Sequence, residues 1–386
     1  MRRLLAFLFL TPLLLTGSLL PAQEAKQEEK KTEAKVYRIP YRITPVYHVL
    51  ARVKINEKGP FNVIIDSGCN IVIMTPSAAR QFGLGGASGG KLDKIEFEGG
   101  PVILNNRVNI NSPPQTTAIN KNNAEGTELH GVIGYDILRH YKIDLDYSNH
   151  KMTWTQGGDD AKAEPDPKAI TVPFEMSGSN HMFVKVHLNG KGPYRFLYDT
   201  GSPGVVVSPK LVQAVNKAAM IETLEMGGLK AEKVPVVALT PPNFGGGATD
   251  GIIGFPLIAR YRTTMDFKSN KIIFSPGSYE PPFVTWAVMT AKPPRQPEPA
   301  PSAEDTWGIV VEKGDGKPGI TLKKVLPATP AHALGLRSGD RLLVFDDTWT
   351  DTVLDVDWAT SKAGLGPGVG AKVLRDGKEV NLSSNR

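Results

Sequence analysis

Two aspartates occupy equivalent places in a repeated pattern. Asp66 follows the apolar run of residues 61–65, Asp199 follows the run of residues 194–198, and each precedes a hydroxyl residue and a glycine. Two carboxyl groups held a few ångströms apart cannot both ionise, so they share one proton. The ionised group can take a proton from water while the protonated group polarises a carbonyl group. The pattern therefore predicts general acid–base chemistry on a carbonyl compound.

The aspartate pattern belongs to an internal duplication. A shift of 133 positions superimposes residues 53–68 on residues 186–201, with seven identities in sixteen positions. A shift of 120 positions superimposes a second pair of motifs, residues 131–134 on residues 251–254. The second copy is thus 13 residues shorter between its two motifs. The sequence predicts two similar halves with one aspartate each, and an additional loop or hairpin in the first half.

The neighbours of each aspartate suit a carboxyl pair. The hydroxyl group of the next residue can hydrogen-bond across the pair, and the glycine after it lets backbone N–H groups approach the carboxylate closely. Ser67 and Gly68 provide these features in the first half, and Thr200 and Gly201 provide them in the second. The second repeated motif consists of an apolar pair and a glycine, namely Val132, Ile133 and Gly134 in one half and Ile252, Ile253 and Gly254 in the other.

Other chemistries are less favoured by the residue pattern. Cys69 would need a neighbouring histidine to act as a nucleophile, and none of the seven histidines recurs at a fitting place, so we interpret Cys69 as a packing residue. No histidine or cysteine cluster has metal-ligand spacing, so no metal or organic cofactor is expected. Asp136 is matched by a proline in the second half and is a poor catalytic candidate. Asp146 and Asp266 are repeated, but they precede turn residues and are predicted to be structural.

Short strands are expected to position the carboxyl pair. Residues 47–55 and 61–65 flank a turn and predict a hairpin that ends at Asp66. Thr75 precedes a proline and predicts the start of a helix that ends at Gly83, and the second half repeats this pattern.

These motifs resemble those of the retropepsin-type aspartyl proteases, here in tandem. The resemblance covers residues 45–276. It implies a mainly β fold class, with two homologous retropepsin-like β-barrel lobes forming one two-lobed, pepsin-like unit and one active site at the seam. It also implies that Asp66 and Asp199 are the catalytic dyad for peptide hydrolysis, and that Ser67 and Thr200 make interlocking hydroxyl contacts. The two apolar-glycine motifs are then expected to pack beside the aspartate loops.

Some residues depart from the retropepsin pattern. Cys69 stands where these proteases usually have alanine or serine, and Pro203 follows the second motif. No tyrosine lies between residues 83 and 129, so no flap tyrosine of the pepsin type can be named. We expect residues 83–126, the longer segment of the first half, to supply a flap with a glycine-rich hinge.

The last 80 residues resemble a PDZ domain of the type attached to bacterial periplasmic proteases. The resemblance covers residues 307–386. Trp307, Gly308 and Ile309 are similar to the carboxylate-binding loop, and residues 327–342 carry the rest of the likeness. Such domains add an extended peptide to a sheet edge and hold its terminal carboxylate on backbone N–H groups. The resemblance implies a peptide-binding site at these three residues, and a structural cap on the protease is the alternative.

The N-terminus has the layout of a secretory signal peptide. Arg2 and Arg3 precede an interrupted apolar run at residues 4–20, which is too short and too broken for a stable membrane span. We therefore expect a periplasmic or secreted protein, with a retained membrane anchor as the alternative. Cys69 is the only cysteine, so no intramolecular disulfide can form.

Composition and charge indicate a globular chain with several domains. The chain has 386 residues, 40% of them apolar, and a net charge of +6 without a basic stripe, which argues against a nucleic-acid partner. We expect a monomer that acts on peptides or unfolded proteins, with a C-terminal peptide as the PDZ ligand. The predicted segments are a signal peptide at 1–22, a charged disordered tether at 23–35, lobe 1 at 36–156, a linker at 157–168, lobe 2 at 169–276, a proline-rich linker at 277–306 and the PDZ domain at 307–386.

Two alternatives to a single-chain protease stay open. The chain could be a catalytically inactive peptide-binding scaffold that keeps the protease fold. Alternatively, each half could pair with its twin in a second chain, as in the viral enzymes.

Overall fold

The structure, a computed structural model, describes residues 33–44, 46–121, 128–158, 166–215, 220–243, 247–281, 301–365 and 368–384. The predicted signal peptide, most of the predicted tether, and most of the two predicted linkers lie outside the described residues. Within the described part of the chain, no helix is long and apolar enough to cross a membrane.

The first half forms a ring of β-strands. Its elements are β1 Lys35–Arg38, β2 Arg42–Ile43, β3 Val49–Ile55, β4 Lys58–Ile65, β5 Ile73–Met74, α1 Pro76–Gln81, β6 Gly89–Phe97, β7 Val102–Ile110, α2 Pro114–Lys121, β8 Gly131–Ile133, α3 Tyr135–Leu138, β9 Lys142–Asp146 and β10 Lys151–Gln156. The sheet runs β2-β3-β4-β8-β5-β7-β6, and β6 also pairs with β3, which closes the ring. Inward side chains such as Val53, Phe61 and Ile65 are buried in the hydrophobic core.

The second half repeats these strand pairings. Its elements are β11 Ile170–Pro173, β12 Glu175–Met176, β13 Met182–Leu188, β14 Lys191–Tyr198, β15 Val206–Val207, α4 Pro209–Val215, β16 Met220–Met226, β17 Leu229–Pro235, β18 Val237–Ala238, β19 Gly251–Ile253, α5 Phe255–Ile258, β20 Tyr261–Asp266 and β21 Lys271–Pro276. β14 runs parallel to β19 as β4 runs parallel to β8. β15 pairs antiparallel with β19 as β5 pairs with β8.

A six-stranded sheet joins the two halves. Its order is β1-β10-β9-β20-β21-β11, so β9 of the first half pairs directly with β20 of the second. Asp144 on β9 accepts hydrogen bonds of 2.8 Å from the Arg262 Nε and the Thr264 hydroxyl group on β20. A single hydrophobic core contains buried residues of both halves, which fixes their relative position.

The additional residues of the first half are divided mainly between the hairpin of β6 and β7 and the segment from β7 to β8. The hairpin of β6 and β7 has a counterpart in β16 and β17, although its strands have nine residues each and those of the counterpart have seven. Helix α2 lies between β7 and β8 and has no counterpart among the described residues of the second half. The expected additional loop therefore includes a helix.

The C-terminal domain has its own sheet and core. Its elements are α6 Ala303–Trp307, β22 Ile309–Val311, β23 Ile320–Val325, α7 Pro330–Leu334, β24 Arg341–Phe345, β25 Thr348–Trp349, α8 Val353–Lys362, β26 Gly370–Arg375 and β27 Lys378–Ser383. Helix α6 begins within residues predicted to be a linker, so the ordered domain begins earlier than we expected. Helix α7 ends where Gly335 adopts a left-handed conformation (φ 93°), which favours glycine. Helix α8 begins with a capping box formed by Thr352 and Asp355.

The C-terminal domain packs against the first half. Trp349 is fully buried in a cluster that also contains Leu50, Ile64 and Val132. The Arg52 guanidinium carbon lies 4.0 Å from the centroid of the Trp349 ring, and the same guanidinium group pairs with Asp351. The domain is therefore held against the strands of the first half by apolar and charged contacts together.

Candidate active site

Asp66 and Asp199 lie at the ends of equivalent strands. Asp66 follows β4, and its backbone N–H donates to the Ile133 carbonyl oxygen at 3.0 Å. Asp199 follows β14, and its N–H donates to the Ile253 carbonyl oxygen at the same distance. Because β4 and β14 run parallel to β8 and β19, the apolar-glycine motifs lie directly beside the two aspartate loops.

The hydroxyl residues of the two loops bond to each other reciprocally. The Ser67 N–H donates to the Thr200 hydroxyl oxygen at 3.0 Å, and the Thr200 N–H donates to the Ser67 hydroxyl oxygen at 3.0 Å. The Ser67 hydroxyl group donates to the Tyr198 carbonyl oxygen at 3.1 Å, and the Thr200 hydroxyl group donates to the Ile65 carbonyl oxygen at 2.8 Å. All four bonds cross between the halves, so they fix the spacing of the two loops.

The carboxyl groups of the two aspartates face each other. A Cβ atom on Gly68 would collide with the Asp199 carboxyl group, and one on Gly201 would collide with the Asp66 carboxyl group. Glycine is therefore required at both places. The Gly68 N–H donates to Asp66 Oδ1 and the Gly201 N–H donates to Asp199 Oδ1, each at 2.8 Å. Each carboxyl group is held by its own loop and lies against the glycine of the other loop.

The environment keeps a proton on the carboxyl pair. Burial raises the pKa of both Asp66 and Asp199 above the usual range of a carboxyl group. The neighbouring Asp66 charge raises the pKa of Asp199 further, to well above its ordinary value. Hydrogen bonds from Asp199 and from the Gly68 backbone oppose the effect of burial on Asp66. One ionised and one protonated carboxyl group is the state that acid–base chemistry requires.

Gly134 and Gly254 let the chain pass close to the backbone of each aspartate loop. A Cβ atom on Gly134 would lie 2.5 Å from the Cys69 carbonyl oxygen, and one on Gly254 would lie 2.6 Å from the Ser202 carbonyl oxygen. The next residues, Tyr135 and Phe255, donate their N–H groups to those same carbonyl oxygens, at 2.8 and 2.9 Å. The motifs thus brace the aspartate loops through backbone contacts.

The apolar motif residues pack in different clusters. Ile133 and Ile253 lie in the core that the halves share. Val132 lies in the cluster that contacts the C-terminal domain, and Ile252 packs with Phe183 in a separate cluster.

Two histidines at the site were missed by the sequence reasoning. The expectation that no histidine recurs at a fitting place is wrong, because the shift of 133 also superimposes His48 on His181. Both side chains are buried, at 1% and 7% exposure. The His48 ring lies near the Gly201 backbone and the His181 ring near the Gly68 backbone. Extending the alignment five residues toward the N-terminus would have found the pair.

The remaining acidic candidates make structural contacts. The Asp136 carboxylate accepts from the Val72 N–H, the Asn106 amide and the Ile137 N–H. Asp146 and Asp266 accept from backbone N–H groups three residues later, as turn residues do.

Neither a thiol nucleophile nor a metal centre is supported by the described residues. Burial raises the pKa of the Cys69 thiol to about 12, and the thiol donates to the Ile71 carbonyl oxygen at 3.3 Å. A thiol with this pKa is a poor nucleophile. The described part of the chain contains no group of three or more metal-ligating side chains.

The three residues predicted to bind a peptide carboxylate adjoin helix α6. Trp307 is the last residue of α6, is 3% exposed, and donates its indole N–H to the Thr360 carbonyl oxygen at 3.1 Å. The Gly308 N–H donates to the Glu304 carbonyl oxygen at 3.0 Å. Ile309 is buried and begins β22, which is an edge strand of its sheet. Helix α6 therefore uses the Gly308 N–H group that a peptide carboxylate would need.

Comparison with known proteins places one part of the chain in a family. None of the curated proteins matches the chain. The solved structures similar to it include that of the basic 7S globulin from soybean, which is 11% identical with a TM-score of 0.40 and covers 63% of this chain and 97% of the globulin chain. Residues 306–385 match the family model described as the PDZ domain. The prediction for this region is confirmed, and the C-terminal domain is a PDZ domain.

Proposed function

We propose that the chain is an aspartic-type endopeptidase whose catalytic dyad is Asp66 and Asp199. The observation that carries the proposal is the reciprocal pair of bonds between Ser67 and Thr200, which holds the two carboxyl groups opposite each other. This arrangement supports two homologous retropepsin-like lobes with one active site between them. Both aspartates come from one chain, which favours a monomer over pairing with a second chain.

The dyad accounts for peptide hydrolysis without a metal or an organic cofactor. The ionised carboxylate, mainly that of Asp66, takes a proton from a water molecule, which attacks the peptide carbonyl carbon. The protonated carboxyl group, mainly that of Asp199, donates to the carbonyl oxygen, because its pKa is the more strongly raised of the two. The proton on Asp66 then passes to the amine nitrogen as the C–N bond breaks, and a hydroxyl group of the tetrahedral intermediate returns its proton to Asp199, so the two carboxyl groups again share one proton.

The substrate is a peptide or an unfolded protein that reaches the dyad as an extended chain. The PDZ domain recruits peptides through the open edge of β22. The apolar run after Arg2 and Arg3 directs the chain to the periplasm or to secretion, where unfolded proteins are available as substrates.

The proposal is tested by digestion of a denatured protein between pH 3 and pH 7. We expect cleavage by the wild-type chain, inhibition by a statine-type peptide, and no cleavage by the Asp66→Asn or Asp199→Asn variants. The matched control is Asp136→Asn, because burial also raises the pKa of Asp136 although this residue lies outside the dyad. This control should retain most of the activity.

A peptide-binding scaffold without catalysis is the alternative. It would be established if the wild-type chain digests nothing across this pH range while it still binds peptides. Pairing between two chains would be established if activity disappears on dilution as the protein elutes at half its size.

A further inference from the structure

The two histidines follow equivalent turns that fix the direction of their rings. The Thr44 N–H donates to the His48 carbonyl oxygen at 2.9 Å, and the His48 N–H donates to the Thr44 hydroxyl oxygen at 2.9 Å. In the second half, the Ser177 N–H donates to the His181 carbonyl oxygen at 3.0 Å, and the His181 N–H donates to the Ser177 hydroxyl oxygen at 3.1 Å. The same local structure therefore presents an imidazole from each half.

Each imidazole crosses to the aspartate loop of the opposite half. The His48 ring lies near the Gly201 backbone, and Gly201 lies against the Asp66 carboxyl group. The His181 ring lies near the Gly68 backbone, and Gly68 lies against the Asp199 carboxyl group. Each histidine is thus separated by one glycine from the carboxyl group of its own half.

The two imidazoles differ in their other partners. The His181 Nδ1 lies 3.0 Å from the Ser179 hydroxyl oxygen. Among the described residues, neither ring nitrogen of His48 makes a hydrogen bond of normal geometry, so its contact with Gly201 is longer or more bent than a regular bond. A fully buried imidazole without a regular partner destabilises the folded chain, and a leucine of similar size would not. This residue type is therefore poorly explained by folding stability.

We propose that His48 and His181 are positioning residues for the dyad, His48 by donating toward the Gly201 carbonyl group and His181 by donating toward the Gly68 carbonyl group. The proposal rests on the proposed function. It assigns to the histidines the orientation of Gly201 and Gly68, whose own N–H groups hold the Asp199 and Asp66 carboxylates. Burial lowers the pKa of both imidazoles, that of His48 to about 4, so the His48 ring is a neutral N–H donor at pH 6.

The test compares three substitutions at His48 with a control on strand β13 of the second half. His48→Leu should lower kcat at least tenfold and change KM less than threefold, while its thermal unfolding midpoint stays at or above that of the wild type. The amide of His48→Asn or of His48→Gln can point an N–H group toward Gly201. The variant that does so should keep kcat within threefold of the wild-type value. The control is His187→Leu on β13, which should keep the wild-type kcat.

Two results would overturn the positioning role of His48. One is full activity in a folded His48→Leu variant. The other is a loss of kcat that is proportional to the drop in the unfolding midpoint in all three variants, because the loss would then reflect stability alone. If His48→Leu does not fold, the two amide variants decide the question, because equal kcat values for Asn and Gln would remove any role for a directed donor.

A second measurement separates this proposal from the proposed function. Carbon-13 NMR of labelled aspartate side chains follows the titration of Asp66 and Asp199 without any hydrolysis. We expect His48→Leu to shift at least one midpoint of the pair and His187→Leu to shift neither. An unshifted titration in an active enzyme would refute the positioning role alone. An inactive wild-type chain that shows the shift would refute the proposed function and leave the positioning role intact.

Discussion

Acid is expected to weaken the contact between the PDZ domain and the first half, through His150. The His150 ring is fully buried between Tyr41 of the first half, at 4.2 Å between ring centroids, and Trp358 of the PDZ domain, at 4.0 Å. Its Nδ1 lies 2.9 Å from the Thr348 hydroxyl oxygen. Burial lowers the pKa of His150 to about 3, because the charged form would lose its hydration in this contact.

The lowered pKa determines the sign and size of the effect. The folded chain disfavours the proton that the unfolded chain binds with a pKa of 6.5. The contribution of His150 to the free energy of unfolding is therefore complete above pH 6.5 and is lost as the pH falls toward 3. The complete loss is about 5 kcal/mol, of which about 2.5 kcal/mol falls between pH 7 and pH 4.5.

Urea unfolding at pH 7, 5.5 and 4.5 measures this loss. All variants carry Asp66→Asn to prevent self-digestion. His150→Phe keeps an aromatic ring but cannot be protonated. Between pH 7 and pH 4.5, we expect its unfolding free energy to fall by about 2.5 kcal/mol less than that of the parent protein. His332→Gln, at an exposed position of the PDZ domain, is the control and should follow the parent protein. Parallel curves for His150→Phe and the parent would refute the reasoning.

Three further predictions concern the dyad, the thiol and the PDZ domain. Asp199→Asn should raise the thermal unfolding midpoint at pH 7.5 and lose this advantage as the pH falls, because a raised carboxyl pKa makes ionisation oppose folding; an equal midpoint at pH 7.5 would contradict it. Cys69 should resist iodoacetamide at pH 8 until urea is added, and Cys69→Ala should keep the wild-type kcat, since burial raises the thiol pKa to about 12. Asp357→Ala removes the acceptor of the Ala303 N–H and should loosen α6, which frees the Gly308 N–H. C-terminal peptides should then bind more tightly, as measured by fluorescence anisotropy. Unchanged affinity would show that α6 does not limit binding.

Features that depend on a few neighbouring residues could be predicted from the sequence. Thr75 caps α1 because its hydroxyl oxygen accepts from the Ala78 N–H at 3.3 Å, as the threonine before a proline indicates. Gly335 ends α7 because a left-handed conformation is needed there. The aspartate loops were predicted for a related reason, since their requirement for a hydroxyl group and a glycine is local and occurs twice.

Features that depend on distant contacts could not be predicted in the same way. The C-terminal end of α6 was predicted to be a carboxylate-binding loop. The hydrogen bond that fixes Trp307 goes to Thr360, which is 53 positions away in the chain, so no local pattern indicates it. Helix α8 was overlooked although Thr352 and Asp355 have the spacing of a capping box. No local pattern indicates which face of the PDZ domain meets the first half, because that contact depends on the stacking of Arg52 over Trp349.

This contact connects the PDZ domain to the dyad. Trp349 packs with Ile64, which lies two residues before Asp66, and with Val132, whose neighbour Ile133 accepts the Asp66 N–H. Trp349→Ala should therefore leave a cavity beneath the strands that orient Asp66, at a cost of about 3–5 kcal/mol.

We expect the folded Trp349→Ala variant to lose kcat several-fold with little change in KM for a short peptide that does not reach the PDZ domain. Trp349→Phe, which fills most of the same space, should stay close to the wild type. If folded Trp349→Ala cleaves the short peptide at the wild-type rate, the domain only recruits substrate and its packing on the strands does not support the dyad. A loss of kcat would instead show that the PDZ domain also acts as a structural cap, because Trp349 belongs to that domain and packs on residues next to the Asp66 loop.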